Sequence, residues 1–100
     1  MRLLIDDIRD SYDVDIVARN WTDGKKFLKE CPISVLYLDH DLGEELEKRT
    51  GYDILEWGLH YGYIPNKVVL VTANPVGYYK MKMALEYSGY KEHQGGIFKK

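Results

Sequence analysis

The sequence predicts an α/β fold built on a mostly parallel sheet of about five strands. Four short apolar runs are continuous rather than alternating, which is typical of strands buried on both faces of a parallel sheet. These runs lie at residues 3–5, 16–18, 35–38 and 68–71, and a weaker fifth run lies at 97–98. Helix-start signals fall between the later runs, so the predicted order is β-β-α-β-α-β-α-β.

Each of the three predicted helices has a recognisable first residue. Thr22 can cap the first of them. Thr50 with Asp53 resembles a capping box ahead of the second. Asn74 followed by Pro75 gives the third a good N-cap and a good first helical residue.

The bulk composition indicates one compact domain over residues 1–100. A chain of 100 residues with 45% hydrophobic and 30% charged content can fold alone and is too small to split in two. The net charge of -2 and the pI of about 5.9 lack the basic excess of proteins that track along nucleic acid. The sequence therefore predicts no extended nucleic-acid footprint, while a single nucleotide or strand end stays compatible with it.

The sequence also predicts a cytoplasmic protein without a membrane segment. Cys31 is the single cysteine and has no partner for an internal disulfide. No N-terminal apolar stretch has the character of a signal peptide or a membrane span.

Polar residues follow the predicted strands at the points where the strands end. Asp6 and Asp7 follow the first strand, Asp39 ends the third, Thr72 ends the fourth and Lys99 comes at the end of the fifth. In open parallel sheets the ligand crevice lies outside the carboxyl ends of the strands. We therefore expect these residues to meet in one pocket, where clustered carboxylates indicate metal, phosphate or proton chemistry.

The strand-end motifs LLIDDIR, YLDHDLG, VLVTANP and IFKK resemble those of the receiver domains of two-component response regulators, which have a flavodoxin-like fold. The resemblance covers most of the chain. It implies that Asp6, Asp7 and Asp39 hold Mg²⁺ and that Asp39 accepts a phosphoryl group. It further implies that Thr72 contacts a phosphoryl oxygen and that Lys99 neutralises charge. Mg²⁺ does prefer a few carboxylates together with water and phosphate oxygens.

The residues of these motifs are similar in detail to those of a narrower group, the cyclic-phosphate processing receiver domains. The similarity rests on LDHDLG, on LLIDDIR with its Arg9, and on TANPVG. Members of that family are proposed to act on cyclic phosphates in RNA repair and conflict settings. The resemblance implies that the partner is a small phosphorylated ligand or an RNA end.

Two residues beside the predicted acceptor have several interpretations. A neutral imidazole at His40 can act as general acid or base near a phosphate, or as a ligand of an ion softer than magnesium. It can equally be a loop histidine bonded to a backbone carbonyl. Asp41 can fix the tautomer of a neighbouring histidine or bind the ion.

Three further features have both a binding and a structural interpretation. Arg9 can clamp a phosphate, or it can pair with Asp10 or Asp13 at the surface. Asn74 can bind phosphate, but as a helix cap it cannot hold a ligand with the same oxygen, although the helix start is itself an anion site. The charged run at 44–49 is interpreted as a solvated loop or a lid.

Two departures from the receiver pattern bear on assembly. Only ten residues, Asp6 to Asp15, separate the first two apolar runs, fewer than the dozen or so that a helical crossover needs. The sequence also ends directly after the fifth strand. We therefore expect the first and last receiver helices to be shortened or missing. Because both cover the same face of the sheet in receivers, we expect a second copy, in a homodimer, or another protein to bury that face.

Three functions stay open from the sequence. The first is metal-dependent hydrolysis or phosphoryl transfer on a cyclic phosphate, including a 2′,3′-cyclic end of RNA. The second is a single-domain receiver phosphorylated on Asp39 by a histidine kinase. The third is a receiver-derived interaction module without catalysis.

Overall fold

The structure is a computed structural model that describes residues 1–9, 12–42 and 49–100. The charged run predicted as a loop or lid lies outside these residues, except for its last member, and so does Asp10. The strands are β1 (Arg2–Ile5), β2 (Ile16–Ala18), β3 (Val35–Leu38), β4 (Lys67–Leu70), β5 (Lys91–Gln94) and β6 (Ile97–Lys99). The helices are α1 (Trp21–Glu30), α2 (Gly51–Tyr61) and α3 (Pro75–Tyr87).

The strands form one sheet in the order β2-β1-β3-β4-β6-β5. Strands β1 to β4 are parallel. The last residues of β1, β3 and β4 are in register, since Ile5 lies opposite Leu38 and Leu38 lies opposite Leu70. Helix α1 links β2 to β3 and helix α2 links β3 to β4, which makes this a mixed α/β fold. The predicted α/β, flavodoxin-like class is confirmed.

The helix starts agree with the sequence at two of three positions. Thr50 and Asp53 form the predicted capping box, and Asn74 caps α3 ahead of Pro75. At α1 the cap is Asn20 rather than Thr22, because the Asn20 side chain accepts the hydrogen bond from the backbone N–H of the third helical residue. No helix among the described residues has the length and apolar character that crossing a bilayer requires.

The last part of the sheet differs from the prediction of a fifth parallel strand. Residues 91–94, sequence KEHQ, form an additional edge strand that is mostly exposed and has no apolar run to mark it. The two residues Gly95 and Gly96 then turn the chain back, and Gly96 adopts a φ of 85° that favours glycine. Strand β6 therefore runs antiparallel to both β4 and β5.

This reversal corrects the expected position of Lys99. Lys99 pairs with Lys67, the first residue of β4, so it lies at the amino end of the parallel strands. Thr72 lies just past the carboxyl end of β4. It is five residues after Lys67, which corresponds to about 16 Å at the usual rise of a strand. Lys99 therefore does not join the carboxyl-end pocket.

A carboxylate attaches the β5–β6 hairpin to α3. Glu92 accepts hydrogen bonds from the Tyr78 hydroxyl and from the backbone N–H of Gly96, and it pairs with Lys82 at 3.1 Å. The Gly96 bond, followed by those from Tyr78 and Lys82, lowers the pKa of Glu92 to about 2.

We expect Glu92→Gln to lower the melting temperature at neutral pH. A folded-state pKa below the ordinary value of 4.5 means that the ionised carboxylate adds stability above that value and loses the contribution as the pH falls toward 2. The stability gap between wild type and variant should therefore narrow across that range in thermal unfolding followed by circular dichroism. Glu30→Gln, at an exposed position, should show no such narrowing. A gap that is constant with pH would contradict the assignment.

All three helices pack on one face of the sheet. Their buried side chains form one cluster with every second strand residue, comprising Leu3, Ile5, Leu28, Leu36, Leu38, Ile54, Met81 and Leu85 among others. Leu4 is fully buried but lies outside that cluster, because successive strand residues point to opposite faces. No helix of the described residues covers the opposite face, and the β1–β2 connection contains none in its described part.

Burial of this second face by another copy or another protein stays a prediction. Its alternate strand residues Val17, Tyr37 and Val69 are partly buried, and the ring of Tyr12 lies 5.2 Å from that of Tyr37. Sedimentation across micromolar concentrations should show self-association if the partner is a second copy. A single monomeric species throughout would rule out that partner.

Candidate metal and phosphate site

Three carboxylates meet at the carboxyl ends of β1 and β3. Asp6 directly follows β1 and Asp39 directly follows β3, and the two strands are neighbours in register. Asp6, Asp7 and Asp39 each place one oxygen so that the three oxygens lie within 4.8 Å of one another. The sheet therefore gathers the predicted carboxylates into one group at its edge.

Asp6 is fully buried and holds the turn that follows β1. Its Oδ1 accepts hydrogen bonds from the backbone N–H groups of Ile8 and Arg9, both at 3.0 Å. Its Oδ2 accepts one from the Arg9 guanidinium, also at 3.0 Å. Burial alone raises the pKa of Asp6, but these bonds outweigh it and leave the pKa below its ordinary value. Asp6 is therefore an ionised carboxylate.

Asp39 is 5% exposed and has weaker compensation. Its Oδ1 accepts the backbone N–H of His40 at 2.8 Å, and the Thr72 hydroxyl bonds to the carboxylate. Burial, with the negative charge of Asp6 as the next cause, raises the pKa of Asp39 above its ordinary value, and the contacts from Thr72 and Arg9 offset only part of this. Asp39 is therefore the less well compensated of the two buried carboxylates.

Arg9 is the cation of the pair. Its guanidinium lies 3.0 Å from Oδ2 of Asp6 and 3.5 Å from Oδ2 of Asp39, and its side chain is 33% exposed. Of the two surface partners that the sequence left open, Asp13 pairs instead with Arg2 at 3.4 Å, and Asp10 lies outside the described residues.

Arg19 is a site residue that the sequence reasoning missed. Its guanidinium donates to the backbone carbonyl of Arg9 at 2.5 Å and lies 3.4 Å from that of Asp6. It therefore fixes the backbone of the turn that carries Asp6 and Arg9. The signal in the sequence was its position directly after β2, at the same edge of the sheet as the aspartates.

His40 packs against the first turn of α3. A Cβ placed on Gly77 would lie 2.3 Å from Cγ of the imidazole, so the ring occupies the space that any larger residue would fill. Nδ1 lies 3.2 Å from Oδ1 of Asp41, whose side chain is 63% exposed. Nε2 is buried and has no hydrogen-bond partner in the described residues. Within the described part of the chain, the ring therefore bonds to the neighbouring carboxylate and not to a backbone carbonyl.

Asn74 serves as a cap and as a link to Asp41. Its Oδ1 accepts hydrogen bonds from the backbone N–H groups of Val76 and Gly77, both at 3.1 Å. These first N–H groups of α3 therefore already have hydrogen-bond partners. Its Nδ2 lies 3.4 Å from Oδ1 of Asp41. Its own backbone N–H donates to the Thr72 hydroxyl at 3.1 Å, which orients that hydroxyl.

The structure therefore brings most of the predicted site residues to one edge. Asp6, Asp7, Asp39, Arg9 and Thr72 meet at the strand ends, with His40, Asp41 and Asn74 beside them. Asp41 is not part of the three-carboxylate group.

The donor set fits a hard divalent cation. Three carboxylates offer oxygen ligands of the kind that Mg²⁺ and Mn²⁺ take, with no sulfur and no imidazole in the group. Burial, and then the charge of Asp6, raise the pKa of Asp39, and a dication at this place would stabilise its ionised form. Asp6, Asp7 and Asp39 are the residues that would hold it.

Comparison with known proteins identifies a family for the chain. No curated protein matches the sequence. The family described as cyclic-phosphate processing receiver domain matches residues 1–87, which extend from β1 to the end of α3 and include every site residue named above. The chain therefore belongs to the cyclic-phosphate processing receiver domain family.

Proposed function

We propose that the chain is a metal-dependent phosphoesterase that opens a small cyclic phosphate, such as a nucleoside 2′,3′-cyclic phosphate or the same group at an RNA end. The observation that carries the proposal is the meeting of Asp6, Asp7 and Asp39 at one point beside Arg9 and Thr72. A bound Mg²⁺, or a similar cation, would supply charge withdrawal from the phosphoryl oxygens.

Asp39 is the central reacting residue of this proposal. Either water bonds to phosphorus and loses a proton, or a carboxylate oxygen of Asp39 bonds to phosphorus and water then cleaves the acyl phosphate to restore the carboxylate. In both routes one ribose–phosphorus P–O bond breaks and the leaving ribose oxygen takes a proton. The backbone N–H of His40 and the Thr72 hydroxyl hold the carboxylate in place. Because Asp39 is buried beside another carboxylate, its anion is poorly solvated, which is typical of carboxylates at functional sites.

Positive charge for the phosphoryl group comes from Arg9 in this proposal. Lys99, the cation expected from the receiver pattern, lies at the other end of the sheet. The start of α3 also has its first N–H groups satisfied by Asn74. Arg9 is the guanidinium that contacts the carboxylate group directly, and its fork matches phosphate geometry.

The proton for the leaving oxygen comes from His40. It follows Asp39 in the chain, and its Nδ1 faces the exposed carboxylate of Asp41, which Asn74 holds. Asp41 thereby fixes the ring orientation, while Gly77 leaves room for the ring to lie against α3.

A phosphoacceptor role is the second candidate. The observation that favours it is the hydrogen bond between Thr72 and Asp39 at the ends of adjacent parallel strands, because a hydroxyl beside Asp39 is within reach of a phosphoryl oxygen carried on that carboxylate. Stable labelling of Asp39 by a small acyl phosphate, without turnover of cyclic phosphates, would favour this role over the esterase.

The test is hydrolysis of nucleoside 2′,3′-cyclic monophosphates by wild type and Asp39→Asn. The asparagine keeps the size of the side chain and removes its charge. Turnover should require both a divalent cation and Asp39, and turnover by the variant at the wild-type rate would refute the proposal.

A further inference from the structure

We propose that Arg9 is an internal counter-ion that competes with the divalent cation for the carboxylates of Asp6 and Asp39. Cation binding then releases the guanidinium to the anionic ligand, so that cation and anion bind cooperatively. The inference rests on the proposed metal site.

The hydrogen bonds of Asp6 leave one oxygen for which the two cations compete. Oδ1 already accepts two backbone N–H groups, which are part of the turn itself. Oδ2 accepts the Arg9 guanidinium at 3.0 Å, and the same nitrogen lies 3.5 Å from Oδ2 of Asp39. A dication held by these carboxylates would stand beside a guanidinium of like charge, and the repulsion would disfavour simultaneous occupation.

The backbone around Arg9 is fixed, whereas its side chain has a path to solvent. The Arg9 N–H is bonded to Asp6 and its carbonyl accepts from Arg19. The Arg9 side chain is 33% exposed, against 0% for Asp6 and 7% for Asp39. Rotation of the side chain therefore moves the charge from the carboxylates to the mouth of the site without disturbing the turn.

Coupling between the two ligands follows from this exchange. With the cation absent, Arg9 is held by two carboxylates and offers little to an anion. With the cation bound, the guanidinium is free for bidentate contact with phosphate. Linkage then requires that phosphate tighten cation binding by the same factor as the cation tightens phosphate binding.

The experiment measures Mn²⁺ affinity by calorimetry, with no phosphate present, for wild type, Arg9→Met and Lys99→Met. Removing the competitor should tighten Mn²⁺ binding about tenfold, an estimate from the Coulomb energy of near charges in a partly exposed site. Lys99→Met changes the net charge equally at the far end of the sheet and should leave the affinity near the wild-type value. Arg9→Lys should fall between wild type and Arg9→Met.

Inorganic phosphate then serves as the anion probe. Phosphate should tighten Mn²⁺ binding to wild type and should have little effect on Arg9→Met. Equal or weaker Mn²⁺ affinity in Arg9→Met, equal tightening in Lys99→Met, or no Mn²⁺ binding by any of these proteins would each overturn the inference. None of these readouts uses turnover. If the protein does not hydrolyse cyclic phosphates, the competition between Arg9 and the cation can therefore still be tested.

A stability readout guards against a variant that fails to fold. Without metal, Arg9→Met should melt at a lower temperature than wild type because two buried carboxylates lose their counter-ion. Saturating Mn²⁺ should raise its melting temperature by more than that of wild type. An equal rise in both proteins would contradict competition.

Discussion

Replacing Gly51 with alanine should destabilise the protein severely, by about 3 kcal/mol or more. An ideal Cβ on Gly51 lies 1.9 Å from the backbone carbonyl oxygen of Asp39, and the neighbouring atoms belong to the backbone as well. The helix cannot move away without cost, because the Gly51 N–H donates to the carbonyl of His40 at 2.8 Å. The close approach of α2 to the strand end therefore depends on the absence of a side chain.

Urea unfolding of Gly51→Ala and Gly95→Ala measures this effect. Gly95 has no atom within 4 Å of its ideal Cβ, so its substitution should change the free energy of unfolding little. A Gly51→Ala protein as stable as wild type would show that the segment after β3 lies elsewhere, and the positions of Asp39 and His40 would then need revision.

Replacing His40 with alanine should reduce turnover of a cyclic phosphate by about a hundredfold or more, the usual contribution of a general acid. Metal affinity should change little, since His40 does not belong to the group of Asp6, Asp7 and Asp39 that would hold the metal. Both quantities are measured on one preparation, with calorimetry for the metal and initial rates for hydrolysis.

Two control variants separate chemistry from packing. His40→Gln keeps more of the side-chain volume against Gly77, so it should be more stable than the alanine variant and equally inactive. His93→Ala removes an exposed histidine on β5 and should leave turnover unchanged. Full activity in both His40 variants would remove this residue from the mechanism.

The carboxylate group is predictable from the sequence, because strand order and strand ends alone bring these residues together. Continuous apolar runs mark β1, β3 and β4, and parallel strands bring their carboxyl ends to one edge. Asp6 and Asp39 follow their strands directly and Thr72 lies two residues past β4, so little of the loop conformation has to be known.

The sequence does not predict the parts of the site that depend on other elements. Lys99 was misplaced because the polar strand β5 carries no apolar pattern, so the hairpin that reverses β6 was not expected. The partners of Arg9 were missed because the turn after β1 is set by tertiary contacts, including those of Arg19. Helices and strands are recognised from the periodicity of their apolar residues, and side-chain contacts in short loops leave no such pattern in the sequence.

The most direct test of the proposed esterase is the fate of a nucleoside 2′,3′-cyclic monophosphate followed by ³¹P NMR in a single sample. The sample contains the wild-type protein, first with a chelator and then with excess Mg²⁺, and a parallel sample contains Asp39→Asn. We expect the cyclic phosphate resonance to persist with the chelator, to be replaced by a phosphomonoester resonance after Mg²⁺ is added, and to persist in the variant throughout. A cyclic phosphate that stays intact in the wild-type sample with Mg²⁺, or one that is opened equally by Asp39→Asn, would contradict the proposed function.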